Sequence, residues 1–155
     1  MDVRIEALNP SDIIAVEEQI VRVYHEAFAP APYSKSQVEA ALFSGTLGRH
    51  MRRPGFRFLA AFLGQDRQLV GSPLIGFAYG YKSEPGQWWY DQVSAALRPE
   101  DVLDWMSDAY ELVELAVAPA FQGFGTGSLL HDRLLEGLPY RTALLSTIQA
   151  DTTAL

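Results

Sequence analysis

The chain has 155 residues, of which 48% are hydrophobic and 20% are charged, a composition typical of one globular domain. Its net charge of −7 disfavours a nucleic-acid-binding protein, because phosphate contacts need clustered basic residues. The chain has no cysteine, which excludes disulfides and thiolate sites, and no apolar run reaches the ~18 residues of a membrane span. We therefore expect a cytoplasmic protein that binds neither nucleic acid nor a membrane and needs no metal to fold.

The N-terminal part of the sequence predicts a strand followed by two helices. Residues 3–8 alternate between polar and apolar side chains, as in a half-buried strand. Apolar residues then recur at helical spacing over residues 13–27. Ser34 and Gln37 have the spacing of a capping box, which predicts a second, shorter helix that ends at the glycines of residues 45–48.

The middle of the sequence predicts a strand pair and then an irregular insertion. Residues 56–64 and 73–83 are rich in aromatic and branched side chains, and a polar, glycine-containing stretch separates them. This pattern is typical of an antiparallel pair of strands. Residues 88–106 lack a regular period and are expected to be an insertion that is partly helical after Pro99.

The C-terminal part predicts a long strand, a helix and a buried strand. Residues 110–119 are strand-like and end in a proline, residues 129–135 carry leucines at helical spacing, and residues 142–148 are short and apolar. The predicted order is β-α-α-β-β-(insertion)-β-α-β. This order indicates an α/β or α+β protein in which helices flank a sheet and a crossover helix joins the last two strands.

Three glycines stand at alternate positions in the stretch QGFGTGSLL, residues 122–130, between the predicted long strand and its helix. The first amides of a helix have no intrahelical partner and carry the positive end of the helix dipole. Glycine lets a bulky anion approach these amides closely. The stretch therefore predicts a binding site for a pyrophosphate.

The glycine spacing disfavours both common nucleotide motifs. A dinucleotide fingerprint needs a glycine three residues after its second glycine, but Ser128 follows Gly125 and Leu130 follows Gly127 at that distance. A P-loop needs a lysine after its last glycine, and none is present. A nucleotide-binding domain remains a weak alternative.

The stretch LAVAPAFQGFGTGSLL, residues 115–130, resembles the acyl-CoA-binding motif of the GNAT superfamily of N-acyltransferases. That motif consists of an apolar strand with V-x-P, then Gln or Arg, a G-x-G, Gly or Ala, and an apolar helix. Val117, Pro119 and Gln122 match it, as do the three glycines that follow. The resemblance implies one acyltransferase domain over residues 1–155 with the GNAT fold, a mixed and mostly antiparallel sheet flanked by helices.

The resemblance also implies acetyl-CoA as co-substrate and no metal. Backbone amides of the turn and helix start would bind its pyrophosphate, and the edge of the long strand would pair with its pantetheine arm. The implied cofactor-binding residues are Leu115, Ala116, Val117, Gln122, Gly123, Phe124, Gly125, Thr126, Gly127 and Ser128.

Direct attack of an amine on a thioester needs a base, because the amine is mostly protonated at neutral pH. Two carboxylates on the predicted long strand are candidates. Glu111 stands six residues before Val117, which matches the base of the histone acetyltransferase branch and makes it our first choice, with Glu114 second. On an ideal strand the two carboxylates face opposite sides, although the family commonly has a bulge here that would alter this parity.

The family's usual proton donor to the leaving thiolate is a tyrosine in a later helix. The stretch STIQADTTAL resembles the approach to that helix, with Asp151 in the cofactor-binding Asn position, and the sequence ends at Leu155. We therefore expect the C-terminal part of the fold, and the general acid with it, to lie beyond this chain.

The acceptor amine is not evident from the sequence. Tyr33, Trp88 and Trp89 stand in segments that flank the acceptor cleft in the family, and they are the candidate substrate-binding residues. A small-molecule amine, a protein N-terminus and a protein lysine are all compatible acceptors, and a homodimer is compatible with the family. The principal alternative function is a non-catalytic domain that binds or senses acyl-CoA.

Overall fold

A computed structural model of the chain describes residues 1–150. Five strands and six α-helices form within these residues, with a short 3-10 helix at Pro119–Phe121. The strands are β1 Val3–Leu8, β2 Arg57–Leu63, β3 Leu74–Lys82, β4 Ala109–Val117 and β5 Thr142–Leu144. The helices are α1 Pro10–Ala15, α2 Glu17–Phe28, α3 Gln37–His50, α4 Trp88–Ala96, α5 Pro99–Met106 and α6 Thr126–Leu135.

The five strands form one mixed sheet in the order β1-β2-β3-β4-β5. The first four strands pair antiparallel, and β5 pairs parallel with β4 after the crossover through α6. The fold class expected from the sequence is confirmed. The antiparallel neighbours are linked by chain segments that return along the sheet, whereas a parallel neighbour needs a crossover connection such as α6.

Apolar side chains cover both faces of the sheet. One core packs α1, α2 and α3 against aromatic residues of β2 and β3, including Phe58, Phe77 and Tyr79. The second core packs α6 against the opposite face, where Leu130 and Leu134 are fully buried. Both faces of β2 and β3 are therefore buried, which explains why these strands consist almost wholly of apolar residues.

The predicted first helix is interrupted, and the predicted cap of the second is wrong. Residues 10–28 form α1 and α2, which meet at Val16 with a backbone that is not helical. Ser36 caps α3, because its side chain accepts a hydrogen bond of 3.1 Å from the amide of Glu39. Ser34 lies outside the helix with φ +50°, so the capping box inferred at Ser34 is wrong.

Three further boundaries differ from the prediction. Helix α3 continues through both of its glycines to His50, because neither glycine adopts the left-handed conformation that ends a helix. The insertion folds as the two helices α4 and α5. Strand β5 spans only three residues, and none of them is buried, so the prediction of a buried strand over 142–148 is wrong. No helix in the described part of the chain is long and apolar enough to cross a membrane.

Candidate active site

Strands β4 and β5 pair at only three positions and then separate. The pairs join Ala109, Tyr110 and Glu111 to β5. From Leu112 to Val117, one edge of β4 therefore has no strand partner among residues 1–150, although its other edge remains paired with β3. Apart from the Val117 carbonyl, which accepts from the Gln122 side chain, the amides and carbonyls of this open edge can pair with an extended ligand.

A groove of about 1010 Å³ lies along the open edge of β4. Helix α6 and the glycine turn form one part of its wall, and residues 145–148 form another. Its remaining wall consists of residues from the end of α2 and the loop after it, Tyr24, Ala27, Phe28, Tyr33 and Lys35. The groove thus extends from a helix N-terminus to a cluster of aromatic and charged side chains.

The glycine turn presents bare backbone to this groove. Gly123 and Gly125 have φ values of +83° and +87°, a conformation that side chains strongly disfavour. Gly125 is the N-cap of α6, and no side chain of residues 1–150 caps the first amides of the helix. The Gln122 side chain donates a hydrogen bond of 2.9 Å to the Val117 carbonyl, which fixes the turn to the end of β4. The turn is therefore suited to bind an anion with its amides.

Gly127 lacks a side chain for a different reason. Its φ is not in the left-handed region, and a Cβ there would lie 3.7 Å from Leu115 Cδ2, an ordinary contact. The protein's own packing would accept a methyl group at this position. Bare backbone at Gly127 therefore leaves room in the groove for a bound ligand.

A bulge in β4 places both candidate carboxylates on one face of the sheet. Tyr79 pairs with Glu114 and Tyr81 pairs with Glu111, while Gly80 pairs with Leu112, so Val113 is the extra residue. Tyr79 and Tyr81 lie two residues apart and share a face. The bulge that the family resemblance led us to expect is present, and the extra residue reverses the alternation of an ideal strand, so Glu111 and Glu114 do not face opposite sides.

Glu111 is buried where β4 is still paired on both edges. The side chain is 6% exposed, and its Oε2 atom has no hydrogen-bond partner in the described structure. Burial raises the pKa of Glu111 to about 7, although the charge of Arg53 opposes the rise. The Arg53 guanidinium lies over the Tyr81 ring at 4.6 Å. Glu111 is not part of the groove wall.

Glu114 lies in the wall of the groove, where part of the residue is exposed and protein atoms closely surround its carboxyl. Desolvation raises the pKa of its carboxyl to about 7, and the charge of Lys35 opposes the rise. A carboxyl with a pKa near 7 can both accept and release a proton at neutral pH. Glu114 thus combines the pKa of a general base with access to a bound ligand.

The nearby histidine of α3 is unsuited to carry charge. His50 Nδ1 lies 2.8 Å from the Tyr79 hydroxyl. Burial and the charges of Arg53 and Arg49 lower the pKa of His50 to about 4. The imidazole is therefore neutral at neutral pH and takes part in packing under β3.

Some of the other predicted site residues lie in the groove wall and others do not. Tyr33 lines the groove, whereas Trp88 and Trp89 do not. Trp88 is 74% exposed, and Trp89 donates from Nε1 to Ser146 Oγ at 3.0 Å. The Phe124 side chain is exposed near the first residues of the chain. Asp151 lies outside the described residues.

Lys35, Tyr24 and His131 line the groove but were not among the predicted site residues. Their placement depends on how α2, α6 and the loop after α2 pack around β4, and no local pattern carries that information.

Within residues 1–150, no group of three or more His, Asp or Glu side chains is arranged to hold a metal ion.

Solved structures of acetyltransferases share this architecture. An aminoglycoside acetyltransferase from an uncultured soil metagenomic sample superposes with a TM-score of 0.61 at 17% identity, covering 97% of this chain and 83% of that one. The aminoglycoside N-acetyltransferase AAC(6')-Iy, in complex with a bisubstrate analogue of CoA and acetylneamine, superposes with a TM-score of 0.58 at 12% identity, covering 99% and 85%. The fold is that of the GNAT acetyltransferases.

A relative in sequence is a GCN5-like protein acetyltransferase of Mycobacterium tuberculosis, 35% identical over 118 residues. The match covers 63% of this chain and 57% of the relative, so the chain spans little more than half of the relative's length. No protein-family model matches the chain. The chain thus shares its fold with these acetyltransferases, and part of its sequence is similar to that of a GCN5-like protein acetyltransferase.

Proposed function

We propose that this protein transfers the acetyl group of acetyl-CoA to a primary amine. The observation that carries the proposal is the coincidence of three features in one groove. These features are the open edge of β4, the uncapped N-terminus of α6 behind Gly125, and the carboxylate of Glu114. Each feature supplies one requirement of direct acyl transfer from a thioester.

Different groups along the groove bind different parts of acetyl-CoA. The amides of residues 123–128 bind the pyrophosphate, where the helix dipole and the free N–H groups favour negative charge. The open edge at Leu115, Ala116 and Val117 pairs with the pantetheine arm. A β4 amide near the bulge stabilises the oxyanion that forms when the amine attacks the thioester.

Glu114 acts as the general base in this proposal. It lies in the groove wall and has a pKa of about 7, so it can take the proton that the attacking amine must lose. Glu111 is the second candidate, because it has a similar pKa and lies on the same face. Access to the groove favours Glu114.

A small-molecule amine is the first acceptor class to test. Both structural neighbours described above are aminoglycoside acetyltransferases, and Tyr33 with Glu114 lines the groove, where aromatic and acidic groups favour a cationic amine. A protein N-terminus or lysine is the second class, since the sequence relative is a protein acetyltransferase.

The proposal is tested by measuring binding and turnover separately on the purified chain. Acetyl-CoA affinity is measured by calorimetry, and free CoA thiol is measured with a panel of aminoglycosides, polyamines and lysine-containing or N-terminal peptides. We expect saturable binding and thiol release that depends on an amine. Binding without amine-dependent thiol release would favour the acyl-CoA-binding alternative, and a lack of binding would contradict both.

A further inference from the structure

Lys35 is a primary amine inside the groove. The chain contains only two lysines, Lys35 and Lys82. Lys35 lies in the loop between α2 and α3, is half-buried, and lines the groove together with Tyr24 and Glu114. Its Nζ atom is 6.0 Å from the centre of the Tyr24 ring. Lys82 lies at the end of β3, away from the groove wall, and pairs with Glu84 at 3.3 Å.

The backbone around Lys35 is held in place. The Lys35 amide donates a hydrogen bond of 2.8 Å to the Phe28 carbonyl at the end of α2. Tyr33 packs edge-on against the Phe28 ring, with centroids 5.0 Å apart. Ser34 has φ +50°, a left-handed conformation that persists only where neighbouring contacts impose it. These contacts fix the loop that carries Lys35 against the end of α2, and the Lys35 side chain lines the groove from there.

The charge of Lys35 acts on the proposed base. The ammonium opposes the desolvation that raises the pKa of Glu114, and it also lowers the pKa of the Tyr24 hydroxyl, which burial raises. The Lys35 and Glu114 side chains line the same groove, although no ion pair joins them among the described residues. The groove wall therefore holds both a primary amine and a carboxyl, the two groups that direct acyl transfer from a thioester uses as nucleophile and base.

We propose that Lys35 Nζ is an internal acyl acceptor, so that the chain acetylates itself at this residue. The inference rests on the proposed function, because an acyl-CoA thioester bound in the groove must supply the acetyl group. Glu114 takes a proton from the Lys35 ammonium, and the freed Nζ attacks the thioester carbonyl carbon. The C–N bond forms, the C–S bond breaks, and the electron pair leaves with sulfur as CoA thiolate. The nitrogen loses its second proton, which neutralises the thiolate, and Glu114 releases the first proton to water. The products are Nε-acetyl-lysine and free CoA.

Mass spectrometry of the full chain tests this inference. After incubation with acetyl-CoA and without an added amine, we expect one acetyl group per chain, located on Lys35. Trypsin should then no longer cleave after residue 35. Lys35→Arg should gain no acetyl group, and the matched control Lys82→Arg should be labelled like the wild type. Glu114→Gln should slow labelling by about 100-fold or more, the usual contribution of a positioned base.

The kinetics distinguish reaction within one chain from reaction between chains. The labelling rate per chain should not change with protein concentration, because donor and acceptor occupy the same groove. A rate that rises in proportion to concentration would overturn the inference. Equal labelling of Lys35 and Lys82, or undiminished labelling in denaturant, would also overturn it, since both indicate uncatalysed acetylation in solution.

The inference and the proposed function fail in different ways. Acetyl-CoA that binds the chain while Lys35 stays unmodified overturns the inference alone, and amine-dependent thiol release then still supports the proposed function. A chain that neither binds acetyl-CoA nor releases thiol overturns the proposed function, and the inference falls with it. The calorimetric measurement therefore accompanies the mass spectra.

Discussion

The two halves of β4 place the same kind of side chain in different surroundings. Residues 110–111 are paired on both edges, and Glu111 is buried there with one oxygen unpartnered within the described structure. Residues 112–117 are paired on one edge only, and Glu114 lies in the groove that the other edge opens. Both carboxyls have a pKa of about 7. A shifted pKa alone therefore does not identify a catalytic group, and access separates the two.

If access to the groove separates Glu114 from Glu111, the largest loss of activity is expected for Glu114→Gln. The variant should lower kcat by about 100-fold to 10,000-fold, the range for a lost general base, with little change in acetyl-CoA affinity. The wild-type rate should rise with pH and level off above about 7, where Glu114 is deprotonated, and the variant should lose that rise. Steady-state kinetics over pH 5.5–9 would measure both.

Glu111→Gln is the matched variant for the rate measurement. If it loses turnover and the pH-dependent rise while Glu114→Gln keeps both, the base lies in the paired half of β4 and the distinction by access fails. Circular dichroism of both variants would show whether either loss comes from unfolding.

Alanine substitutions at two glycines near β4 should differ in their effect on the stability of the protein. Gly80 lies opposite the bulge, and a Cβ there would come 2.2 Å from the Glu111 carbonyl oxygen and 2.6 Å from the Tyr110 ring. Gly80→Ala should therefore cost about 1–3 kcal/mol or more in unfolding free energy. Gly127→Ala is the control, because the helix and its surroundings accept a methyl group. Equal denaturation midpoints for the two variants would show that the bulge does not need Gly80.

The buried carboxyl of Glu111 predicts a pH-dependent stability. Its folded pKa of about 7 lies above the ordinary value of 4.5, so the folded state holds the proton more tightly. The stability from this group is fully present below about pH 4.5 and is lost as the pH rises through 7. Glu111→Gln should therefore be more stable than the wild type at pH 8, by about 2 kcal/mol, and should lose that advantage at pH 5. Urea unfolding at both pH values measures this, and an advantage that does not change with pH would contradict it.

Local patterns were sufficient to predict the sequence of strands along the chain and the turn between β4 and α6. Period-two alternation identified β1, and the spacing of Val117, Pro119, Gln122 and the glycines identified the loop before α6. Both signals depend on neighbours in sequence. The cap of α3 was misplaced because Ser34 and Ser36 offer similar side chains two residues apart, and only the fold decides which of them enters the helix.

Two features depend on tertiary packing: the bulge in β4, and the part of the groove wall formed by α2 and the loop after it. The family resemblance implied a bulge in this strand, but nothing in the stretch YELVELAV marks Val113 as the extra residue. A local hint is Gly80 on the facing strand, where a side chain would clash. Lys35 reaches the groove because the end of α2 holds its loop. Such placements follow from long-range contacts and have no period that a sequence pattern could show.

The central claim is that the turn after the open half of β4 binds the pyrophosphate of acetyl-CoA. Ser128 lines the groove in the first turn of α6 and is exposed. A glutamate there would stabilise the helix through its dipole but would repel a bound pyrophosphate. Calorimetry should show one acetyl-CoA per wild-type chain, affinity weakened by about tenfold or more (~1.4 kcal/mol) in Ser128→Glu, and near wild-type affinity in the uncharged control Ser128→Gln. Equal affinity for all three proteins, or no binding by the wild type, would contradict the claim.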